Sequence, residues 1–195
     1  MINPKEFYNE LASNSINFFT GVPDSLLKEF CSYISDNTAD NKHIIAANEG
    51  NALAIASGYY LSSGKPALVY MQNSGLGNII NPLLSLNARK VYGIPALLLI
   101  GWRGEPNIKD EPQHIKQGEV TLGLLDAMDI KYYLLNESSN DDMAKDTIEE
   151  ATKYMNSNNE PVALVISKGT FEKYIKNDTK TEKYELTREK AIEIL

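Results

Sequence analysis

The sequence predicts an α/β protein built on a doubly wound, mostly parallel six-stranded sheet with helices on both faces. Short apolar runs alternate with segments of helical periodicity from residue 3 to residue 166, the pattern of successive strand–helix units. Some of these runs are apolar almost throughout, as in PALVYM at 66–71 and ALLLI at 96–100, which suits parallel strands covered on both faces. The length of 195 residues gives one substantial domain with its own core and is short for two.

The first helix starts at Asn3, with Pro4 at its first helical position and Glu6 in the first turn. Residues 16–21 (INFFTG) read as a strand ending in the turn Gly21-Val22-Pro23. Asp24 or Ser25 can cap the next helix, whose Leu26, Leu27, Phe30 and Ile34 fall at helical spacing. A second strand is expected at 43–47, then an alanine-rich helix from 50 to 61 stopped at Gly64. After the strand at 66–71, a glycine-rich loop at 72–78 leads into a helix reaching Asn87. The run at 96–100 is followed by a polar loop from 101 to 118 and a short helix at 122–128. A strand at 132–135, a helix at 141–155 and a last strand at 161–166 complete the pattern.

Composition narrows the function classes. Hydrophobic residues make up 43% and charged residues 23%, ordinary for a globular protein, and no run approaches the roughly 20 apolar residues that span a bilayer. The start, MINPKEFYNEL, lacks the basic and apolar regions of a signal peptide. The single Cys31 excludes an internal disulfide framework and gives no metal cluster, so it is expected at or near the core of a cytoplasmic protein. A formal net charge of −7 argues against general nucleic-acid binding. Beyond Ser167 the text turns polar and of mixed charge, as in an exit linker that begins a helix at 187–195.

In open parallel sheets, ligands sit outside the carboxyl ends of the strands. Four segments therefore matter: 21–25, 48–51, 72–78 and 101–118. Glu49 follows the apolar run IIAAN and precedes a helix of small residues. Alone it is a helix-starting acid favoured by the backbone dipole; held in an apolar setting, such a carboxyl can share a proton with a ligand nitrogen. The segment Gln72-Asn73-Ser74-Gly75-Leu76-Gly77-Asn78 offers two glycines for positive φ or close backbone approach. It is neither a dinucleotide fingerprint, since the third glycine is missing, nor a P-loop, since no Gly-Lys-Ser/Thr follows. The 101–118 segment gathers the only Trp with Arg103, several acids and His114. Arg103 suits a phosphonate, sulfonate or carboxylate, and His114 can move protons near neutral pH. His43, at the start of a strand, reads as structural.

Taken together, GVPDS at 21–25, ANEGNA at 47–52, YMQNSGLGNIINPLLSL at 70–86 and LLLIGWRGEPNIKDEPQHIKQG at 97–118 resemble the phosphonopyruvate decarboxylases and the related sulfopyruvate decarboxylases, families of thiamine-diphosphate-dependent 2-oxoacid decarboxylases. The resemblance covers the first 165 residues or so. It implies that Glu49 hydrogen-bonds the aminopyrimidine ring of the cofactor and sets its protonation. It also implies that Val22, Pro23, Asn73, Ser74, Gly75, Gly77 and Asn78 contact the cofactor. Asp24 lies near the place where related decarboxylases put an acid that protonates the product, and with Ser25 it flanks the substrate. Arg103 and His114 are assigned to the substrate anion or to proton transfer.

The resemblance further implies Mg²⁺ beside the diphosphate, held in these enzymes by a Gly-Asp-Gly motif with a later Asn in a second α/β domain. No Gly-Asp-Gly occurs in the sequence, so no metal ligand is assigned, and the Mg²⁺ ligands are expected in a diphosphate-binding domain of the same or a partner chain. Residues 1–168 are then the pyrimidine-binding domain and 169–195 a linker with the start of a helix. Because the cofactor lies between domains of different protomers in this superfamily, a homo-oligomer, dimeric or higher, is expected. The alternatives are the alpha subunit of a sulfopyruvate decarboxylase and a non-catalytic thiamine-diphosphate-binding module. An NAD- or FAD-binding Rossmann domain fails on the missing third glycine and on the lack, in the right context, of the acid that ends the second strand.

Overall fold

A computed structural model describes residues 1–176 and 188–194. Six parallel strands form one sheet in the order β2-β1-β3-β4-β6-β5: β1 (Phe19–Gly21), β2 (His43–Ile45), β3 (Leu68–Gln72), β4 (Leu97–Gly101), β5 (Lys131–Leu135) and β6 (Val162–Ile166). Between them run α1 (Pro4–Ser13), α2 (Lys28–Asn37), α3 (Glu49–Ser63), α4 (Leu76–Pro82), α5 (Pro112–Ala127) and α6 (Asp141–Asn158), and α7 (Arg188–Ile194) lies near the end of the chain. Among the described residues, none of these helices is long and apolar enough to cross a membrane.

The period of two along each strand divides the core. Leu68, Tyr70, Leu97, Leu99, Val162 and Leu164 face one side, where Phe7, Leu11, Phe30 and Ile34 of α1 and α2 and Ile148 of α6 cover them. Val69, Met71, Leu98, Ile100, Ala163 and Val165 face the other, under Leu53 and Ala56 of α3, Ile79 of α4 and Leu125 of α5. Strands β3, β4 and β6 are therefore covered on both faces, as their apolar runs require.

The boundaries follow local chemistry. Asn3 caps α1 with its side chain, and Pro4 takes the first position, where no N–H is needed. Asn48 caps α3, and Gly64 ends it with φ 70°. Helix α2 starts later than Asp24 or Ser25 would place it: Leu27 is its N-cap and makes no side-chain cap bond. The expected strand at 43–47 is a short edge strand with Ile44 and Ile45 exposed. Cys31 packs against the first core, as expected.

Two corrections bear on the site. The 72–78 segment is not an open loop: Asn73–Gly75 form a 3₁₀ turn that runs directly into α4. The polar loop after β4 ends at Glu111, because α5 begins at Pro112, so His114, Gln117 and Gly118 are helical. Core packing also continues past the expected boundary at 168. Phe171 stacks on Phe30 at 5.7 Å, Ile2 pairs with it in a short bridge, and Tyr174 N–H donates to Glu29 at 2.8 Å.

The centre of the sheet and its edge should respond differently to truncation. Leu99→Ala, in a strand buried on both faces, should cost about 2–5 kcal/mol in urea denaturation. Leu134→Ala, on the exposed side of edge strand β5, should cost less than about 1 kcal/mol.

Candidate functional site

Strands β1, β3 and β4 deliver their carboxyl ends to the same edge, with Gly21 level with Tyr70 and Gln72 level with Gly101. The chain leaving β1 passes into α2 on one face, whereas β2 and β3 lead into α3 and α4 on the other. Neighbouring strands whose exits part to opposite faces open a crevice, the usual ligand position in such sheets.

Glu49 is the first residue of α3 and reaches into this crevice half-buried. Its Oε2 accepts a hydrogen bond from Asn78 Nδ2 at 2.7 Å. The carboxyl rests against the Cα of Gly75: a Cβ there would lie 2.6 Å from Glu49 Cδ and Oε1. Gly75 has an ordinary helical φ of −71°, so it is required for close approach rather than for backbone freedom. Gly77 faces open space on α4. Ser74 is exposed and accepts from Gln72 Nε2 at 2.7 Å.

Asp24 sits on the far side of the β1 exit. Val22 N–H is tied to Tyr70 O at 3.0 Å, Pro23 and Ser25 are exposed, and Asp24 turns inward to 7% exposure. Its Oδ1 accepts from Leu26 N–H at 2.9 Å, while its Oδ2 is buried without a partner. This carboxyl too lies on a glycine, since a Cβ on Gly101 would come 3.1 Å from Asp24 Cγ. Burial pushes the Asp24 carboxyl above its ordinary value, opposed by backbone N–H groups and by the Arg103 charge.

Asn73 was expected to meet a ligand, but its side chain is spent inside the protein. Nδ2 donates to Arg103 O and Thr121 Oγ1, both at 2.8 Å, and Oδ1 accepts from Arg103 N–H at 3.2 Å. Asn73 is a latch between the 3₁₀ turn and the loop after β4, leaving its neighbours to face the crevice. Arg103 is engaged as well: Nε and Nη2 both reach Asp110, and Nη1 donates to Ser25 Oγ at 2.7 Å. His114 Nδ1 lies 3.3 Å from Asp110 Oδ1. Trp102 Nε1 donates to Gly118 O at 2.9 Å, pinning the loop to α5.

The structure thus brings Glu49, Gly75 and Asn78 into one group, and Asp24, Ser25 and Arg103 into another with His114 behind it. A concavity of about 650 Å³ between the loop after β4 and the exits of β5 and β6 contains none of these residues. Glu49 and Asp24 instead stand at the carboxyl ends of the central strands, each packed on a glycine. Sequence reasoning passed over Asp110 and Thr121. Pro112 after an acidic residue was the available signal that a helix starts beside Asp110.

Residues 5–130 match the family described as thiamine pyrophosphate enzyme, N-terminal TPP binding domain. The chain is 36% identical over 143 residues to phosphonopyruvate decarboxylase of Streptomyces viridochromogenes, covering 72% of this chain and 34% of that protein. It is 35% identical over 159 residues to sulfopyruvate decarboxylase subunit alpha of Methanococcus maripaludis, covering 82% of this chain and 90% of that one. The corresponding subunit of Methanocaldococcus jannaschii is 36% identical over 162 residues, covering 81% of this chain and 89% of the subunit. The chain therefore spans about a third of the matched Streptomyces decarboxylase and nearly all of these alpha subunits.

The buried Asp24 gives a stability test. A carboxyl whose pKa is raised by folding contributes most in its protonated form, below the unfolded value near 4, and that contribution is lost as pH rises through the folded value. Asp24→Asn, neutral at every pH, should melt higher than the parent at pH 7. The difference should shrink as pH falls below about 4, measured by thermal denaturation across pH.

Proposed function

The chain belongs to the thiamine pyrophosphate enzymes, as their N-terminal TPP-binding domain, and we propose that it forms the aminopyrimidine-binding half of a decarboxylase that converts 3-phosphonopyruvate to phosphonoacetaldehyde and carbon dioxide. The observation that carries this reading is the Glu49 carboxyl lodged at the strand-end crevice on the bare Cα of Gly75. The bare Cα of Gly75 makes room for the Glu49 carboxyl itself, which leaves that carboxyl at the strand ends to meet the edge of a flat heteroaromatic ring.

When bound, thiamine diphosphate supplies the nucleophilic carbon and the electron sink for the loss of carbon dioxide. Glu49 holds a proton toward the ring nitrogen through Oε1, while Asn78 fixes Oε2. Asp24, kept inclined toward its neutral form by burial, can return a proton to the product carbon. Ser25, Arg103 and His114 receive the anionic group of the substrate. These side chains together hold the aminopyrimidine side. Mg²⁺ and the diphosphate belong to a second domain, on the same or a partner chain, and among the described residues no group of three or more His, Cys, Asp and Glu could hold a metal. We place the end of the sheet-forming part of the domain near residue 168, with residues 171–174 packed back onto α1 and α2, and read the assembly as a homo-oligomer of two or more copies, supported by the half-exposure of Glu49. The scarcity of cysteine supports a cytoplasmic setting.

A second reading, the alpha subunit of a sulfopyruvate decarboxylase, is favoured by the extent of the match to those subunits. Both readings use the same site on anions of similar size. They are separated by carbon dioxide release from phosphonopyruvate, sulfopyruvate and pyruvate, with thiamine diphosphate and Mg²⁺. The assay is run on the chain alone and on the chain combined with the diphosphate-binding half. Release should need the combination and be fastest on phosphonopyruvate; faster release from sulfopyruvate selects the second reading. Glu49→Gln should lower it by a factor of about 10²–10⁴ with the fold intact. Full activity in that variant removes Glu49 from the chemistry, and no release from any substrate leaves a binding module.

A further inference from the structure

Asp110 has no place in the chemistry above, yet the loop after β4 is organised around it. Its Oδ2 accepts from Arg103 Nε at 2.8 Å and from Gly104 N–H at 2.8 Å. Its Oδ1 takes Arg103 Nη2, Glu111 N–H at 2.8 Å and the weaker contact with His114 Nδ1. Arg103 is therefore fixed at both levels, its guanidinium by Asp110 and its backbone N–H and C=O by Asn73. The Arg103 guanidinium beside Asp110 holds this carboxyl well below the usual carboxylate range, so the pair stays ionised at every working pH.

A guanidinium has five N–H donors. Asp110 takes the Nε–Nη2 side, and Ser25 Oγ takes one hydrogen of Nη1. One hydrogen on each Nη then remains, on a guanidinium that also meets the exposed Ser25. Two such donors suit a tetrahedral anion, and the side chain has already lost its rotamer freedom on folding rather than on binding. A methyl group in the same place gains nothing from it.

We propose that Asp110 is a positioning residue for substrate selection: by fixing Arg103, it makes the site prefer 2-oxoacids that carry a second anion on the carbon next to the carbonyl over pyruvate. This rests on the decarboxylase reading above.

The test compares kcat and KM for phosphonopyruvate, sulfopyruvate and pyruvate in the assembled, cofactor-loaded enzyme, for the parent, Asp110→Asn and Asp110→Glu. Asp110→Asn should raise KM for the preferred anionic substrate by about 10- to 100-fold, the value of one or two charge-assisted hydrogen bonds, with kcat much less changed. Its loss on pyruvate should be smaller by about 5-fold or more, since pyruvate does not use the guanidinium. Asp110→Glu keeps the carboxylate and should fall between the two; if the Asn variant does not fold, the Glu variant carries the same comparison. An equal loss on anionic substrates and pyruvate overturns the proposal and leaves Asp110 a structural residue. A parent enzyme that turns over neither anionic substrate overturns the decarboxylase reading itself.

Discussion

The site depends on two carboxyl groups packed where side chains ordinarily stand. Glu49 lies on the Cα of Gly75, and Asp24 lies on the Cα of Gly101. Parallel strands force this convergence, because their carboxyl ends share one edge of the sheet and each must hand its chain to a helix there. A Cβ at either glycine would push the acid out of the crevice. The small residues are consequences of the acids, and the acids are placed by the strand ends.

From that constraint follow three carboxyl environments within one crevice and its border. Asp24 is buried with one oxygen unpartnered, and desolvation favours its neutral form. Asp110 is surrounded by donors and a guanidinium, which favour its charged form. Glu49 is half-exposed and tied by Asn78. Asp24 and Asp110 are driven to opposite protonation preferences by their surroundings alone, the usual basis for dividing proton-donating and charge-holding roles. Asn73 links these groups mechanically, since it bonds the backbone of Arg103 from within the turn that supports Glu49.

Much of this was legible in the sequence. The apolar runs at 66–71 and 96–100 became β3 and β4, buried as their composition demanded. The alternation of runs and helical periods gave the layer order, because it reflects burial on one or both faces. The IIAAN run was misleading about burial: an apolar edge strand and an interior strand read alike, and only the sheet order leaves Ile45 in the open. The glycines at 75 and 77 looked like a loop because glycine is a poor helix former; the contact that requires Gly75 comes from α3, distant in sequence. The start of α5 was obscured by polar residues, with Pro112 as its one cue. Asn73 and Asp110 were ambiguous for a related reason: nothing local in the sequence separates a polar side chain facing a ligand from one that ties two loops together. Phe171, within an apparently polar tail, entered the core through contacts with α1 and α2.

In the function proposed above, this chain sets the protonation of an aminopyrimidine through Glu49. The most direct measurement is the rate of hydrogen–deuterium exchange at the thiazolium C2 position of thiamine diphosphate bound to the assembled enzyme, followed by quenched-flow NMR in the parent and in Glu49→Gln. Exchange should be rapid in the parent and slower by a factor of about 10²–10⁴ in the variant, with cofactor still bound. Equal exchange rates in the two proteins would contradict it.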